Sequence, residues 1–451
     1  MKNKLKWVLV IGLITVLAVP SYKAIQYYLD NQLYAHFVLN QWYQAKDSPI
    51  EDGYVDKQSY DWGDTCRVFI NSTDVRSTWI KLYDINQQIV DSVWVQLQPQ
   101  DAKENSSEEG FGYEQTLEYK IPELKGGLYL WEKKIPLLIR GDDTRIGVLY
   151  ASNTRNAYNI FGGKSLYGMF SQKTNRVSFL RPTFPYISFQ AFYGLRYFFN
   201  HQSFKFSYLS DLDMDRMESL ENLDVLIIVG HSEYWARQAR RNFDSFITNG
   251  GQAIILSGNT MWWQVRYSEK KDAMICYKSR EDPIEDTLLR TINWSDALLN
   301  YPIGESIISD FMQGGYGRKN NIGFNGYKVI NKPHPVFQDV LSEELDMLHI
   351  PSKEYDGVSI RYEDGAPVRI NNSFFTETEL LAYDSLGDSR NGAFVVGKKT
   401  DSTGMVYNVG TMDWCSGYGM GGTDSSKLQV ITDRMIKLCL AESEKGTIPA
   451  D

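Results

Sequence analysis

Val225-Leu-Ile-Ile-Val-Gly-His-Ser-Glu-Tyr-Trp235 runs from an unbroken apolar stretch, through a glycine, into a histidine, a glutamate and two aromatic rings. An apolar run of this kind suits a strand covered on both faces, since a half-exposed strand would alternate. Ile146-Gly-Val-Leu-Tyr150 and Ala253-Ile-Ile-Leu256 repeat the pattern upstream and downstream. Ser188 to His201 and Trp235 to Asn249 carry helical periodicity, and Gly250-Gly251 stops the second before the next apolar run. Strand and helix in this order predict an α/β fold, with a doubly wound, mostly parallel sheet spanning 141–445. Ligands of such sheets bind beyond the carboxyl ends of the strands.

Upstream the character changes. Thr65-Cys-Arg-Val-Phe-Ile70 and Ser77-Thr-Trp-Ile-Lys-Leu-Tyr83 alternate with period two and are broken by Gly, Asn and Asp turns. They predict a small β-sandwich over 45–140, with the polar stretch Gln98 to Gly112 as a long loop. A chain of 451 residues is also too long for one ordinary core. At the N-terminus, Lys2, Lys4 and Lys6 precede the uncharged run Trp7 to Pro20, the basic-then-apolar order of a signal sequence. Extended through Leu29, it predicts an uncleaved hydrophobic anchor in 1–30, with cleavage after Ser21 as the competing fate. The membrane is thus expected as a partner, and the body of the protein is expected to be extracytoplasmic.

The composition is that of a folded protein, 43% hydrophobic and 23% charged, with 29 tyrosines and 11 tryptophans. A net charge of −9 gives no general attraction to phosphate backbones, which excludes nucleic acid as a partner. An oligomer is compatible with it. Cys66, Cys276, Cys415 and Cys439 lie far apart, and His36, His201, His231, His334 and His349 form no zinc spacing. A bound metal would therefore rely largely on oxygen ligands.

Three apolar runs end in polar clusters at the rim where ligands bind. They are Asn153 to Tyr167, Gly230 to Trp235, and Ser257 to Gln264. Each has a plainer explanation. Tyr158 and Tyr167 could be rim aromatics, His231 and Glu233 could cap a helix starting near Tyr234, and Gly162-Gly163 could be only a turn. Their joint occurrence argues for a site, because a carboxylate and an imidazole at one buried strand end are costly unless used.

Tyr158-Asn-x-x-Gly-Gly-x-Ser-Leu-Tyr167, Gly230-His-x-Glu-Tyr-Trp235 and Gly258-Asn259 followed by Trp262-Trp263 resemble the C-terminal catalytic region of the N,N-dimethylformamidase large subunit. Met405 to Trp414 looks like that family's closing strand, so the likeness runs from about Gly126 to Gly419. It implies a hydrolase that cleaves an amide or related carbonyl bond of a small molecule at a mononuclear ferric iron. The implied metal ligands are Tyr129, Tyr158 and Glu233, three hard oxygens that suit such an ion. His231 and Asn259 would support the centre or position substrate, with Asn259 able to donate to an oxyanion, and Glu354 would be the general base for water. Lys278, among many charges, reads as a solvated lysine. Ser232 stands where the family commonly has an acid, and Arg155 where it has an aromatic. The family's small second subunit is not part of this chain.

Two rival readings use the same architecture. A non-catalytic cell-surface module would use the tryptophans and tyrosines to stack on carbohydrate or cell-wall fragments. Convergence of Tyr129, Tyr158 and Glu233 separates that reading from the enzyme. A thiol enzyme on a glutamine amidotransferase- or flavodoxin-like sheet would need a cysteine at a strand end in a Gly-x-Cys-x-Gly setting, and no cysteine here has one.

Overall fold

The computed structural model describes residues 32–446 except 143, 169, 318–323, 339, 341–346, 365 and 386–389. The anchor expected in 1–30 lies outside the described residues. Among those described, no helix is long and apolar enough to cross a membrane. The expected transmembrane anchor, and the extracytoplasmic placement drawn from it, are corrected to this extent: no helix among the described residues supplies one.

The first described helix, Gln32–Ala45, sets Tyr34 and Phe37 edge-on against Phe189, at ring separations of 5.7 and 5.3 Å. Seven strands come next, in two sheets. Asp52–Val55, Thr65–Asn71 and Gln115–Lys120 form an antiparallel three-stranded sheet. Arg76–Tyr83, Ile89–Leu97, Gly127–Trp131 and Ile135–Ile139 form an antiparallel four-stranded one. Alternation along Thr65–Asn71 buries Cys66, Val68 and Ile70, which meet Ile80, Leu82, Leu137 and Ile139 in one apolar core.

A nine-stranded sheet carries the rest. Its order is Ser207–Ser210, Ile146–Tyr150, Val225–Gly230, Gln252–Ser257, Met405–Asn408, Asn391–Lys398, Glu377–Ser385, Gly326–Val329 and Met347–His349. The first five strands run parallel. From Met405–Asn408 onward every pairing is antiparallel. This corrects the expected fold class. The structure is mostly β, with several antiparallel or mixed sheets and few helices, and it is not a doubly wound parallel α/β fold. The cause lies in the second half of the chain, where Glu377–Ser385 and Asn391–Lys398 pair as a hairpin instead of being joined through a crossover helix. Asn391–Lys398 is buried almost throughout, so it lacks the alternation that marks an antiparallel strand in sequence.

The strand Val225–Gly230 feeds two cores. Val225, Ile227 and Val229 face the core that Phe189–Asn200 and Ser425–Gly446 complete, while Leu226 and Ile228 face the one under Arg237–Thr248. Burial on both faces explains the unbroken apolar run, and it makes this strand a rigid base for the polar cluster at its carboxyl end. Ile228→Ala, at a fully buried position, should cost about 2–5 kcal/mol of stability in denaturant melts, by lost burial plus a residual cavity. A loss below about 1 kcal/mol would mean that the site collapses and the strand is not the base described.

Candidate functional site

Three parallel strand ends and one antiparallel strand converge here. From Ile146–Tyr150 the chain goes to a neighbour on one side, Ser207–Ser210, and then to Val225–Gly230 on the other. That reversal opens a crevice beyond the carboxyl ends of the two strands. Ile146–Tyr150 runs into the short helix Ser152–Tyr158, whose last residue brings Tyr158 to the crevice. Val225–Gly230 ends at Gly230 with φ +85°, where a side chain would be strained and would press on Ala191 at 3.2 Å. The turn presents His231 and Glu233, and the Glu233 main-chain N–H donates to Thr154 Oγ1 at 2.8 Å, tying the two strand ends together. Gln252–Ser257 leads to Gly258. A Cβ there would lie 2.4 Å from Met412 N and 2.8 Å from Glu354 O, so only glycine lets the strand Glu354–Gly357 pack this close.

The side chains form one network. The Tyr158 hydroxyl donates to Glu233 Oε2 at 2.7 Å. His231 Nε2 lies 3.4 Å from Glu233 Oε2 and 3.3 Å from Glu354 Oε2. His231 Nδ1 is 3.1 Å from the Gly258 carbonyl oxygen. A carbonyl can only accept and a carboxylate mostly accepts, so both ring nitrogens carry protons. Asn259, at φ +51°, donates from Nδ2 to Glu354 Oε2 at 2.9 Å. Asp356 holds this loop by accepting from the Asn259 and Thr260 main-chain N–H groups at 2.8 and 3.3 Å.

Burial alone would depress the His231 imidazolium, but the attraction of Glu354 and Glu233, helped by the Gly258 carbonyl, outweighs it and raises the group to about 9. Glu354 moves up, chiefly through burial and also through the charge of Glu233, with His231 and Asn259 opposing. Glu233 moves down: burial would raise it, but His231, Lys278 and the Tyr158 hydroxyl together prevail. The two carboxylates are thus pushed apart, with Glu354 the more basic. Burial, then the neighbouring Glu233, holds Tyr158 well above the usual phenol range. Burial first, partly offset by the Thr260 and Asn259 amides, raises Asp356 to about 7.

Above the network lies a cleft of about 370 Å³ that Tyr158, His231 and Glu354 help to line. Its walls mix aromatic rings, Tyr34, Phe170, Phe184 and Phe189 among them, with aliphatic and polar groups that include Arg155 and Lys353.

Tyr158, Glu233, His231, Asn259 and Glu354 are brought together, but Tyr129 is not. It is buried in the core of the first two sheets, its ring edge-on to Phe199 and its hydroxyl donating to the Lys125 carbonyl at 2.7 Å. Its place in Gly127–Trp131, paired with Ile135–Ile139, fixes it there. The three-oxygen set expected for an iron therefore does not assemble. Among the described residues no group of three or more His, Cys, Asp or Glu side chains has a metal-holding arrangement. With one tyrosine present, bonded through its own proton to Glu233, the residues do not fit a two-tyrosinate iron, and no step is derived through one.

Two members were missed. Lys278 is not a solvated lysine: its ammonium donates to the Tyr234 hydroxyl at 2.7 Å and sits 5.0–5.6 Å from the rings of Tyr234, Trp263 and Tyr167. Nothing local in the sequence signals that enclosure. Asp356 stood in plain view in Lys353-Glu-Tyr-Asp356, where period two places it on the same strand face as Glu354. Arg155, noted as a departure from the family, donates to the carbonyls of Pro185 and Tyr186.

Residues 93–425 match the family described as N,N-dimethylformamidase beta subunit-like, C-terminal. No match to a curated protein is found. Among solved structures, a ThuA-like protein from Bacteroides uniformis is similar at 13% identity and TM-score 0.33, covering 67% of this chain and 94% of its own. A Paenibacillus cycloisomaltooligosaccharide glucanotransferase is similar at 12% identity and TM-score 0.15, covering 42% of this chain and 28% of its own. Likenesses of that size carry no structural argument.

The placement of Tyr129 and the charge on His231 can each be checked. Tyr129→Phe should cost about 0.5–1.5 kcal/mol of stability for the lost hydrogen bond, and should leave ligand binding in the cleft unchanged by calorimetry. Because the folded His231 lies above its ordinary value of 6.5, at about 9, its stabilisation is complete below 6.5 and fades as the pH rises through 9. Melting temperatures of the wild type and His231→Gln should converge across that window, and a constant gap would contradict the charged histidine.

Proposed function

Since the chain belongs to the N,N-dimethylformamidase beta subunit-like family, we propose that it is a hydrolase that cleaves the non-peptide C–N bond of an amide, or a related carbonyl bond, in the cleft above Glu233, His231 and Glu354. The observation that carries this reading is the pair of buried carboxylates set astride one imidazole at 3.3 and 3.4 Å. A module that only binds has no use for such a costly arrangement.

The chemistry divides among the residues by their charge states. Glu354, the more basic carboxylate, takes a proton from water as that water adds to the substrate carbonyl. The two N–H groups of His231 are held by Gly258 and the carboxylates, so its imidazolium stabilises the oxygen on which negative charge develops by its positive charge and not by a direct hydrogen bond. When the tetrahedral intermediate collapses, Glu354 passes the proton to the departing nitrogen, so the products are a carboxylic acid and an amine. Glu233 keeps His231 charged, and Asn259 fixes the carboxyl group of Glu354 in place. Asn259 thus serves as a positioning residue for the base. The cleft volume, about 370 Å³, lies in the range of about 300–1,000 Å³ found for drug-sized ligands, well beyond what a one-carbon amide fills.

Glu354→Gln should lower kcat on a cleaved amide by about 10²–10⁴-fold while the fold is kept. The wild-type kcat/KM should rise with pH as Glu354 ionises, above the ordinary carboxylate range, and fall as His231 loses its proton near 9. If a panel of formamides, acetamides and longer amides gives no turnover, or if Glu354→Gln turns over like the wild type, the proposal fails.

A further inference from the structure

Behind the cleft lies a second cavity, of about 80 Å³, walled partly by the first β-sheets and partly by Tyr150 and the helix Ser152–Tyr158. Arg155, Asn159 and Thr183 belong to the walls of both spaces. The chemistry of this chamber is one-sided. Arg155, Arg181 and Lys57 line it, and no carboxylate does. Lys57 is paired with Asp64 at 3.1 Å, but neither arginine has a salt-bridge partner among the described residues. Asp211 stands one residue back, accepting from the Ser152 hydroxyl at 3.2 Å and the Asn153 N–H at 2.7 Å.

Arg181 is 3% exposed. It donates only to neutral oxygens: the main-chain and side-chain oxygens of Asn156 and the carbonyls of Phe161 and Lys164. Those contacts satisfy its N–H groups without neutralising its charge, and burial lowers its pKa to about 9. Three more polar atoms around the same chamber are buried without a well-formed hydrogen bond, Arg155 Nε, Asn156 Nδ2 and the Tyr150 hydroxyl; Arg155 and the Ser188 main chain lie beside the Tyr150 oxygen but leave its proton without an acceptor. Tyr150 is 4% exposed and Asn156 9%. Water could bridge these donors, but it would leave the two guanidinium charges without a carboxylate among the lining residues to offset them.

We infer that the chamber is a binding site for a small oxyanion of carboxylate or phosphate size, received by Arg155 Nε, Asn156 Nδ2 and the Tyr150 hydroxyl within the field of Arg181. The anion has two sources with the same chemistry. It is either free in solution or the anionic end of a molecule lying in the adjoining cleft, which the shared wall at Arg155 permits. The second source rests on the hydrolase reading and the first does not.

The test uses the full chain and inorganic phosphate, titrated by calorimetry and thermal melts against sodium chloride at equal ionic strength. Saturable phosphate binding with a rise in melting temperature beyond the chloride control is expected. Tyr150→Phe, which removes one hydroxyl and little volume, should keep the fold and weaken phosphate binding roughly tenfold, the loss of one hydrogen bond to a charged group. Arg155→Gln should weaken it further. No saturable binding, or equal binding by the wild type and Tyr150→Phe, overturns the inference. Matched amides with and without a terminal carboxylate then identify the source. If Tyr150→Phe raises KM for the acidic amide alone, with kcat kept, and phosphate competes with it, the anion belongs to the substrate; if phosphate binds without competing, the anion is free. If no amide is cleaved at all, the hydrolase reading fails while the phosphate titration still decides the chamber.

Discussion

Two carboxylates buried within reach of one another repel, and the arrangement at this site holds only because a charged imidazole lies between them. His231 touches both Glu233 and Glu354, and each carboxylate has one further donor on the oxygen that faces the ring: Tyr158 for the first and Asn259 for the second. A neutral His231 would leave two negative charges in a desolvated pocket, a state costing several kcal/mol. The clamp is therefore the constraint that much of the surrounding architecture serves.

Backbone placement is tied to it. The three strand ends that carry Tyr158, His231 and Asn259 are adjacent in one parallel stretch of sheet, so their spacing is set by main-chain hydrogen bonds and not by flexible loops. Glu354 comes from outside that stretch, on a strand paired antiparallel with Asp310–Tyr316. Gly258 allows its close approach, and Asp356 secures the loop between them. Local strain gathers at that crossing, where Asn259 and Met261 both have positive φ.

Features set by a local environment were legible in the sequence. The apolar run Val225 to Val229 announced a strand buried on both faces, and the polar groups directly after it had to stand at the rim. The sheet as a whole was not legible, because Asn391–Lys398, the strand where its antiparallel half begins, is buried almost throughout, and buried strands of either orientation look alike in sequence. Tyr129 illustrates a different failure. Its assignment rested on position before a strand, whereas its surroundings depend on which sheet that strand joins, and the pairing of Gly127–Trp131 with Ile135–Ile139 carries it into another core. Lys278 was unreadable for a similar reason: its neighbours Tyr234, Trp263 and Tyr167 are distant in the chain.

The most direct measurement of the clamp is a pH titration of the His231 ring by carbon-13 NMR, with the signal assigned by its loss in His231→Gln. A charged imidazole held between two carboxylates should show a midpoint near 9 that falls toward 6.5 when Glu354 is replaced by glutamine. A midpoint near 6.5 in the unmodified protein would contradict the clamp, because the two carboxylates would then lack the charge that holds them together.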